Sequence, residues 1–460
     1  MAPSLKSLAG GSRTMANWDE DAVTMATEAG RIVLAATRAQ LQDKPIENLT
    51  VASTTLPFGD RLNASLVCAA LGLPASTSAT DAGGSQRAAS SALLRALQPN
   101  TRASTLLISA ERRIPTPASP SELMTGDGAA SVLIGPGDPI AILCGSATQT
   151  VDFVDHFREI GRNGDYSWEE RWIREEGYLK LIPEVAQRAL QQAQMRAEDV
   201  DVFLMPAPLL RVNQTVAKKI GIRPTAIADP LFETIGDTGT AHPLLLLAHQ
   251  LEHATAGQKL MLVQFASGCD VIVLEVLRPQ ASRSGAPLLS SGQTETNYLK
   301  YLSFTGQVKL DWGMRAEMDT KTALSAAWRA NELTMGFSAG HCSSCGTIQF
   351  PLSRICVNPK CNLINSQKSH RLADDLARVR SFTCDWLTFK PSPPFLFGHV
   401  EFEHGARAMM EFTDCEPDEL AVGVPLKMLF RIKDVDPNRG FRRYFWKATI
   451  LRQDQDRKNG

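Results

Sequence analysis

The chain has 460 residues, 43% of them hydrophobic and 21% charged, and a formal net charge of −1 at pH 7. That length suits two or three domains with well-buried cores, and the balanced charge gives no electrostatic reason to expect nucleic acid or an anionic membrane as a partner. No apolar run is long enough to span a bilayer and Met1 to Arg13 lack the apolar core of a signal peptide, so the chain reads as cytosolic.

Asn17-Trp18-Asp19-Glu20-Asp21 puts acids at the start of a helix that continues through Ala22, Val23, Ala26, Ala29, Ile32 and Val33 at helical spacing. A strand over 49–53 and a helix over 61–71 follow. Next, Ala79-Thr80-Asp81-Ala82-Gly83-Gly84-Ser85-Gln86-Arg87 reads as strand, glycine turn and the start of a helix over 88–97. Adjacent glycines let backbone amides approach a ligand, and a helix start adds partial positive charge, so Gly83 and Gly84 are candidates to bind an anion or oxyanion. Asp81 has two readings: an acid where an acyl-transfer enzyme wants a nucleophile, or a cap on the helix behind it. A strand over 105–110, a Pro-rich loop and Thr125-Gly126-Asp127-Gly128-Ala129 lead to a strand over 131–135. The alternation predicts an α/β fold with a largely parallel sheet.

The following stretch repeats this order. A strand over 140–147 and a polar insertion precede a helix over 178–194, a strand over 201–205 and a helix over 212–220. Thr234-Ile235-Gly236-Asp237 turns into a helix over 242–253, and strands follow over 260–265 and 271–277. Asp81-Ala82-Gly83-Gly84 corresponds to Thr234-Ile235-Gly236-Asp237, and Gly126-Asp127-Gly128 to Ser267-Gly268-Cys269. Such a duplication predicts two similar halves, 1–136 and 137–279, about a pseudo-twofold axis, with both glycine turns on one cleft. Asp81 and Asp237 then face each other, with His242 beyond Asp237. Paired carboxylates drive one pKa up, which makes Asp81, Asp237 and His242 candidates for acid–base catalysis. The other reading leaves Asp237 and His242 as caps. The first half lacks a counterpart of the strand over 140–147. The favoured explanation is a natural start upstream of Met1; the alternatives are a strand from another chain or an open sheet edge.

Ser, Gly, Pro and Arg dominate 280–294, which marks a linker, and helical segments over 298–302 and 320–331, the latter capped by Asp319, complete a bracing region to 337. Cys342-Ser343-Ser344-Cys345-Gly346 and Cys356-Val357-Asn358-Pro359-Lys360-Cys361 form two cysteine knuckles, the pattern of a structural Zn²⁺ ribbon over 338–366 with no open ligand position. His341 is a neighbour of this set, not a member. Five alternating segments over 367–460, with a turn at His404-Gly405, predict a small OB-type barrel. With 15 Lys or Arg against 14 Asp or Glu over 370–460, no nucleic-acid footprint is expected. Within Phe441-Arg442-Arg443-Tyr444-Phe445-Trp446, Arg442 and Arg443 are candidates to pair ligand phosphates, and the alternative is an edge strand with core aromatics.

The duplicated halves with Gly126-Asp127-Gly128-Ala129, together with Asp152-Phe153-Val154-Asp155-His156-Phe157-Arg158, resemble the thiolase superfamily, in particular hydroxymethylglutaryl-CoA synthase. Residues 339–450, with Cys342, Cys345, Gly346, Phe350-Pro351, Cys356 and Cys361, resemble the zinc-ribbon and OB-fold acyl-CoA-associated domain that accompanies such enzymes. The resemblance implies a five-layer αβαβα thiolase-like fold, a CoA thioester substrate, carbon–carbon bond chemistry and a homodimer, with a separate thiolase as a possible partner. It also implies a Cys nucleophile, a His, an Asn and a Glu. This chain has Asp81 for the Cys, Asp237 for the Asn, no His in Met205-Pro206-Ala207-Pro208, and Thr54 for the Glu. Two functions follow: aldol-type acid–base chemistry on an acyl-CoA, or non-catalytic acyl-CoA binding or scaffolding.

Overall fold

The structure, a computed structural model, describes Leu5 and residues 10–41, 44–98, 103–280, 292–311, 313–314 and 320–452. Most of the expected linker, 281–291, and the expected cap Asp319 lie outside the described residues. The chain divides into two compact units. One comprises Met1–Ala16, Asp21–Cys68 and Leu73–Gln307, the other Asn17–Glu20, Ala69–Gly72 and Val308–Gly460.

In the first unit, Asp21 accepts the amides of Val23 and Thr24 and so starts α1 (Ala22–Leu41). There follow β1 (Asn48–Ala52), α2 (Asn63–Leu71), β2 (Ser78–Ala82), α3 (Ala88–Ala96), β3 (Thr105–Glu111), the one-turn helix α4 (Pro120–Met124) and β4 (Gly128–Ile134). These strands form a sheet in the order β2-β1-β3-β4. β1 pairs in parallel with β2 and β3, but β4 returns antiparallel to β3.

The second half begins with β5 (Ala141–Thr150). Its insertion holds a hairpin, β6 (His156–Phe157) and β7 (Tyr166–Ser167), then α5 (Glu170–Trp172) and a π-helical stretch, Ile173–Tyr178, that runs into α6 (Leu179–Ala193). Beyond lie β8 (Val202–Leu204), α7 (Val212–Ile220), α8 (Phe232–Ile235), α9 (His242–His253), β9 (Lys259–Phe265), β10 (Gly268–Val276) and α10 (Tyr298–Phe304). The second sheet runs β5-β10-β9-β8, with β8 and β9 parallel and the other pairs antiparallel. A parallel bridge from Phe203 to Ile227 occupies the place that β2 holds in the first half. Both sheets are therefore mixed rather than largely parallel, because β4 and β10 each return directly beside the preceding strand without a crossover helix. β5 covers the outer edge of β10, whereas β4 pairs with β3 alone among the described strands.

Alternation along the strands sets the layers. Leu260, Leu262, Ile272 and Leu274 share a core with α3, α9 and Ala52, Leu107 and Ala130 of the first sheet. The alternate residues Met261, Val263, Val271 and Val273 pack with Ile182, Val185 and Ala189 of α6 and Val216 of α7. α1 packs against β3 and β4. The order of layers is thus helix, sheet, helix pair, sheet, helix. One buried carboxylate ties the halves: Asp270 on β10 accepts the hydroxyls of Ser90 (2.7 Å) and Ser91 (2.8 Å) on α3 and of Thr148 (2.6 Å) on β5.

The second unit contains the short helices α11 (Leu324–Arg329) and α12 (Asn331–Thr334). A three-stranded sheet comes next, in the order β12-β11-β13, from β11 (Ser338–Cys342), β12 (Ile348–Gln349) and β13 (Gln367–Arg371). A five-stranded antiparallel sheet follows, formed by β14 (Ala377–Asp385), β15 (Phe395–Phe402), β16 (Arg407–Glu411), β17 (Pro425–Asp436) and β18 (Phe441–Ile450), ordered β16-β15-β14-β17-β18. A single parallel bridge joins Phe412, just past β16, to Ala448 of β18. Asn17–Glu20 belongs to this unit, and the fully buried Asp19 accepts Lys447 Nζ (3.0 Å) and Thr413 Oγ1 (3.1 Å). Arg431 holds Glu20 (2.9 Å) and Asp414 (2.6 Å) beside it. Removing one member of a buried pair strands its partner's charge, so Asp19→Ala in the full-length protein should lose about 3 kcal/mol in denaturant unfolding, while Asp418→Ala should lose almost nothing.

Candidate functional site

The site is built where the turn before α9 meets the turn before β4. Asp237 N donates to Met124 O (2.6 Å) and Gly126 N to Asp237 O (3.0 Å). This approach requires glycine. A Cβ on Gly126 would lie 1.9 Å from Ile235 O, and Gly236, at φ +76°, would place one 2.8 Å from Met124 O.

Arg113, in the loop after β3, lies buried among acids. It donates to Asp237 Oδ2 at 2.6 Å and to Asp165 Oδ2 at 3.4 Å. Burial opposes its charge, but Asp237, Asp165 and Glu111 outweigh that effect and raise its pKa, so it stays a cation. Asp165, from the turn between β6 and β7, also accepts Arg158 (2.8 Å), and Arg158 donates to Thr54 O (2.7 Å). A chain of charge therefore runs from the Thr54 loop through the insertion to Asp237. Glu111, fully buried at the end of β3, accepts the amide (3.0 Å) and hydroxyl (2.7 Å) of Thr54. Arg158 lies in the run Asp152 to Arg158 that carries the family resemblance, whereas Arg113 and Asp165 have no motif of their own in the sequence.

Asp237 is an ion-pair partner. Burial disfavours its charge, but Arg113, His242 and the amide of Gly239 (2.9 Å) prevail and hold its pKa below the usual carboxylate range. His242 touches it at 3.8 Å, yet both ring nitrogens are already engaged: Nδ1 accepts Thr238 N (3.1 Å) and Nε2 donates to Pro230 O (2.8 Å). Burial drives the His242 pKa down despite Asp237, so the ring is neutral and held in place. That arrangement leaves neither ring nitrogen of His242 unpaired.

Asp81 has partners of its own. Its carboxylate accepts Asn63 N (2.8 Å), Ala64 N (2.7 Å) and Asn63 Nδ2 (3.0 Å), which are the first groups of α2. It is a helix cap, but for α2 and not for α3, whose own N-cap, Arg87, makes no side-chain capping bond. Asp81 and Asp237 are thus each engaged by separate partners. Gly83 and Gly84 do form the turn before α3, and a Cβ on Gly84 (φ +83°) would meet nothing within 4 Å, so the turn is open there. No thiol replaces the nucleophile: burial pushes Cys68 on α2 up to about 11 and Cys269 on β10 up to about 12.

In the second unit the four sulfurs of Cys342, Cys345, Cys356 and Cys361 lie within 4.8 Å of one another. Cys342 Sγ is 3.8 Å from Cys361 Sγ, and Cys345 Sγ is 3.5 Å from Cys356 Sγ. Tetrahedral thiolates at a Zn–S distance of about 2.3 Å stand about 3.8 Å apart, so the set fits such an ion. Arg443 is bound bidentately by Asp434 across the β17–β18 ladder. Trp446 is fully buried, with Nε1 donating to Met335 O (2.8 Å), and Tyr444 stacks on Phe430. Within the stretch that holds Arg442 and Arg443, these two aromatics serve the core, not a stacking platform.

Comparisons agree with this architecture. Residues 190–274 match the family model "3-Oxoacyl-[acyl-carrier-protein (ACP)] synthase III C terminal". The chain is 25% identical over 295 residues to hydroxymethylglutaryl-CoA synthase of Methanopyrus kandleri, covering 61% of this chain and 82% of that protein. It is 26% identical over 308 residues to the Aeropyrum pernix enzyme, covering 66% and 82%. Among solved structures it is similar to an HMG-CoA synthase complexed with CoA (TM-score 0.56, 18% identity, 69% of this chain and 86% of that one). It is also similar to 3-oxoacyl-(acyl carrier protein) synthase III from Pseudomonas aeruginosa PAO1 (TM-score 0.54, 20% identity, 61% and 92%). The fold is thiolase-like. Within that class, the N-terminal ~300 residues are distantly similar to hydroxymethylglutaryl-CoA synthases and to 3-oxoacyl-ACP synthase III, and a C-terminal region with clustered cysteines and antiparallel sheets follows.

Two substitutions separate the carboxylates. Asp81→Ala should cost about 1–2 kcal/mol of stability through the lost cap, measured by denaturant unfolding. Asp237 has a folded pKa below its unfolded value of about 3.9, so its stabilisation is present above that value and lost as pH falls through the folded pKa. Wild type should therefore melt above Asp237→Asn at pH 7, and the two melting curves should converge in acid.

Proposed function

We propose that the protein acts on a CoA thioester by carbon–carbon bond chemistry of the aldol or retro-aldol kind, without a covalent acyl-cysteine. The observation that carries this reading is a thiolase-like fold whose α3 turn presents no thiol, with the thiols of Cys68 on α2 and Cys269 on β10 pushed up by burial. An enolate formed from a thioester needs an acid–base group and an oxyanion holder, but no acyl-enzyme. Gly83 and Gly84 at the open turn serve as the holder, and Asp237 with Arg113 sets the field of the cleft. Arg113 Nε, Thr238 Oγ1 and Thr240 Oγ1 are buried without hydrogen bonds among the described residues, which suits a polar ligand or water there. On this reading Asp81 and His242 position the scaffold.

The cysteine cluster holds a structural Zn²⁺ ion, and the five-stranded sheet is an OB-type barrel, a reading supported by the Phe412–Ala448 bridge between its two edges. The N-terminal unit pairs as a homodimer. A non-catalytic acyl-CoA-binding or scaffold role beside a thiolase is the second reading, favoured by the ion pairing of Asp237.

Acetyl-CoA radiolabelled in its acyl group should bind without leaving covalent label after denaturation, and iodoacetamide treatment should leave acyl-CoA turnover unchanged; a stable acyl-protein adduct would overturn the mechanism. Absence of turnover with any 3-hydroxyacyl-CoA, with binding intact, would favour the scaffold. Elemental analysis should find one zinc per chain, and Cys356→Ser should abolish it and lower the melting temperature.

A further inference from the structure

The insertion between β5 and α6 contributes an imidazole that the roles above leave unused. His156 Nδ1 lies 2.9 Å from Asp155 Oδ2, and Nε2 has no hydrogen-bond partner among the described residues. Both side chains are half-buried, at 22% and 14% exposure, so the ring is sheltered but reachable. The charged groups that act on it are Asp155 beside it, Asp165 from the β6–β7 turn and Arg113 from the loop after β3. Asp165 and Arg113 are links in the chain that ends on Asp237. The hairpin that pairs His156 with Ser167 and Phe157 with Tyr166 carries Asp165 in its turn, which ties the His156–Asp155 pair to the Arg113–Asp237 contact.

We propose that His156 is the acid–base residue of this site, with Asp155 as its positioning residue. This rests on the thioester reading. Nε2 takes a proton from the α-carbon of the acyl group; the C–H electron pair moves into the enolate, the negative charge collects on the thioester oxygen, and Nε2–H forms. The imidazolium then faces Asp155, and the same proton returns to carbon or, once the enolate carbon has added to the carbonyl of a ketone or aldehyde co-substrate, goes to the alkoxide that this addition forms. In the reverse direction the neutral ring takes the β-hydroxyl proton as the carbon–carbon bond breaks. A carboxylate that fixes one ring nitrogen and leaves the other free is the arrangement that general-base catalysis needs. Burial works against the imidazolium, but Asp155 and Asp165 outweigh it and lift the His156 pKa above its ordinary value, while Arg113 works the other way. The neutral, base-competent ring therefore accumulates only as pH rises through that elevated value.

The test is solvent deuterium incorporation into the acyl methyl group of acetyl-CoA, followed by mass spectrometry with the full-length protein. Wild type should exchange, with a rate that rises with pH through the His156 pKa. His156→Gln should lose about 100-fold or more with the melting temperature unchanged, and Asp155→Asn should move the rising limb to lower pH. Exchange by His156→Gln at the wild-type rate would overturn the assignment and leave the thioester reading standing. A second readout separates the two claims. If wild type exchanges no deuterium but acetyl-CoA shifts the His156 imidazole NMR resonance, the carbon–carbon chemistry falls and the ring remains at the substrate. If that resonance does not move, the role of His156 falls.

Discussion

The first unit depends on one buried cation. Arg113 comes from the loop after β3, Asp237 from the turn before α9 and Asp165 from the insertion, so a single guanidinium holds three segments that share no local sequence. A buried arginine stripped of its acids would cost several kcal/mol, which makes the three segments mutually dependent. Gly126 and Gly236 permit the backbone approach on which this pairing rests, since any side chain at either would collide with a carbonyl oxygen.

The same pairing shapes the chemistry. A carboxylate that neutralises a buried arginine is a poor proton carrier, because giving up its charge would leave the cation alone. Asp237 is committed in this way, Asp81 is committed to the first amides of α2, and His242 has spent both nitrogens. The thiolase-like fold is thus kept while Asp81, Asp237 and His242 each have partners within the protein. Among the described residues, Arg113 Nε, Thr238 Oγ1 and Thr240 Oγ1 keep unused hydrogen-bonding capacity, as do the open Gly84 turn and His156 on the insertion.

The second unit shows the difference between local and distant pairing. Its cysteine knuckles are short-range features: Gly346 N returns to Cys342 O and Cys361 N to Asn358 O, both within tight turns that the residue types announce. Its buried charges are not. Lys447 and Arg431 find Asp19 and Glu20 from a segment some four hundred residues earlier in the chain, as the 428-residue separation of Lys447 and Asp19 records. The arginine of the aromatic run, Arg443, is answered by Asp434 only because β17 and β18 pair in that register.

By itself the sequence determined most of the strands and helices of the two α/β halves, the five strands of the last sheet and the four metal-competent cysteines, because apolar periodicity and turn residues act over a few positions. It also carried the family resemblance, through the duplicated halves and short motifs. Asp81, Asp237, His242, Gly83 and Gly84 were all visible as residues on turns. Their partners were decided by tertiary structure alone. Asp81 meets Asn63 18 residues away and Arg113 meets Asp237 124 residues away, and such partners are set by sheet register and loop approach. An acid on a glycine turn looks the same in sequence whether it caps a helix, pairs an arginine or moves a proton.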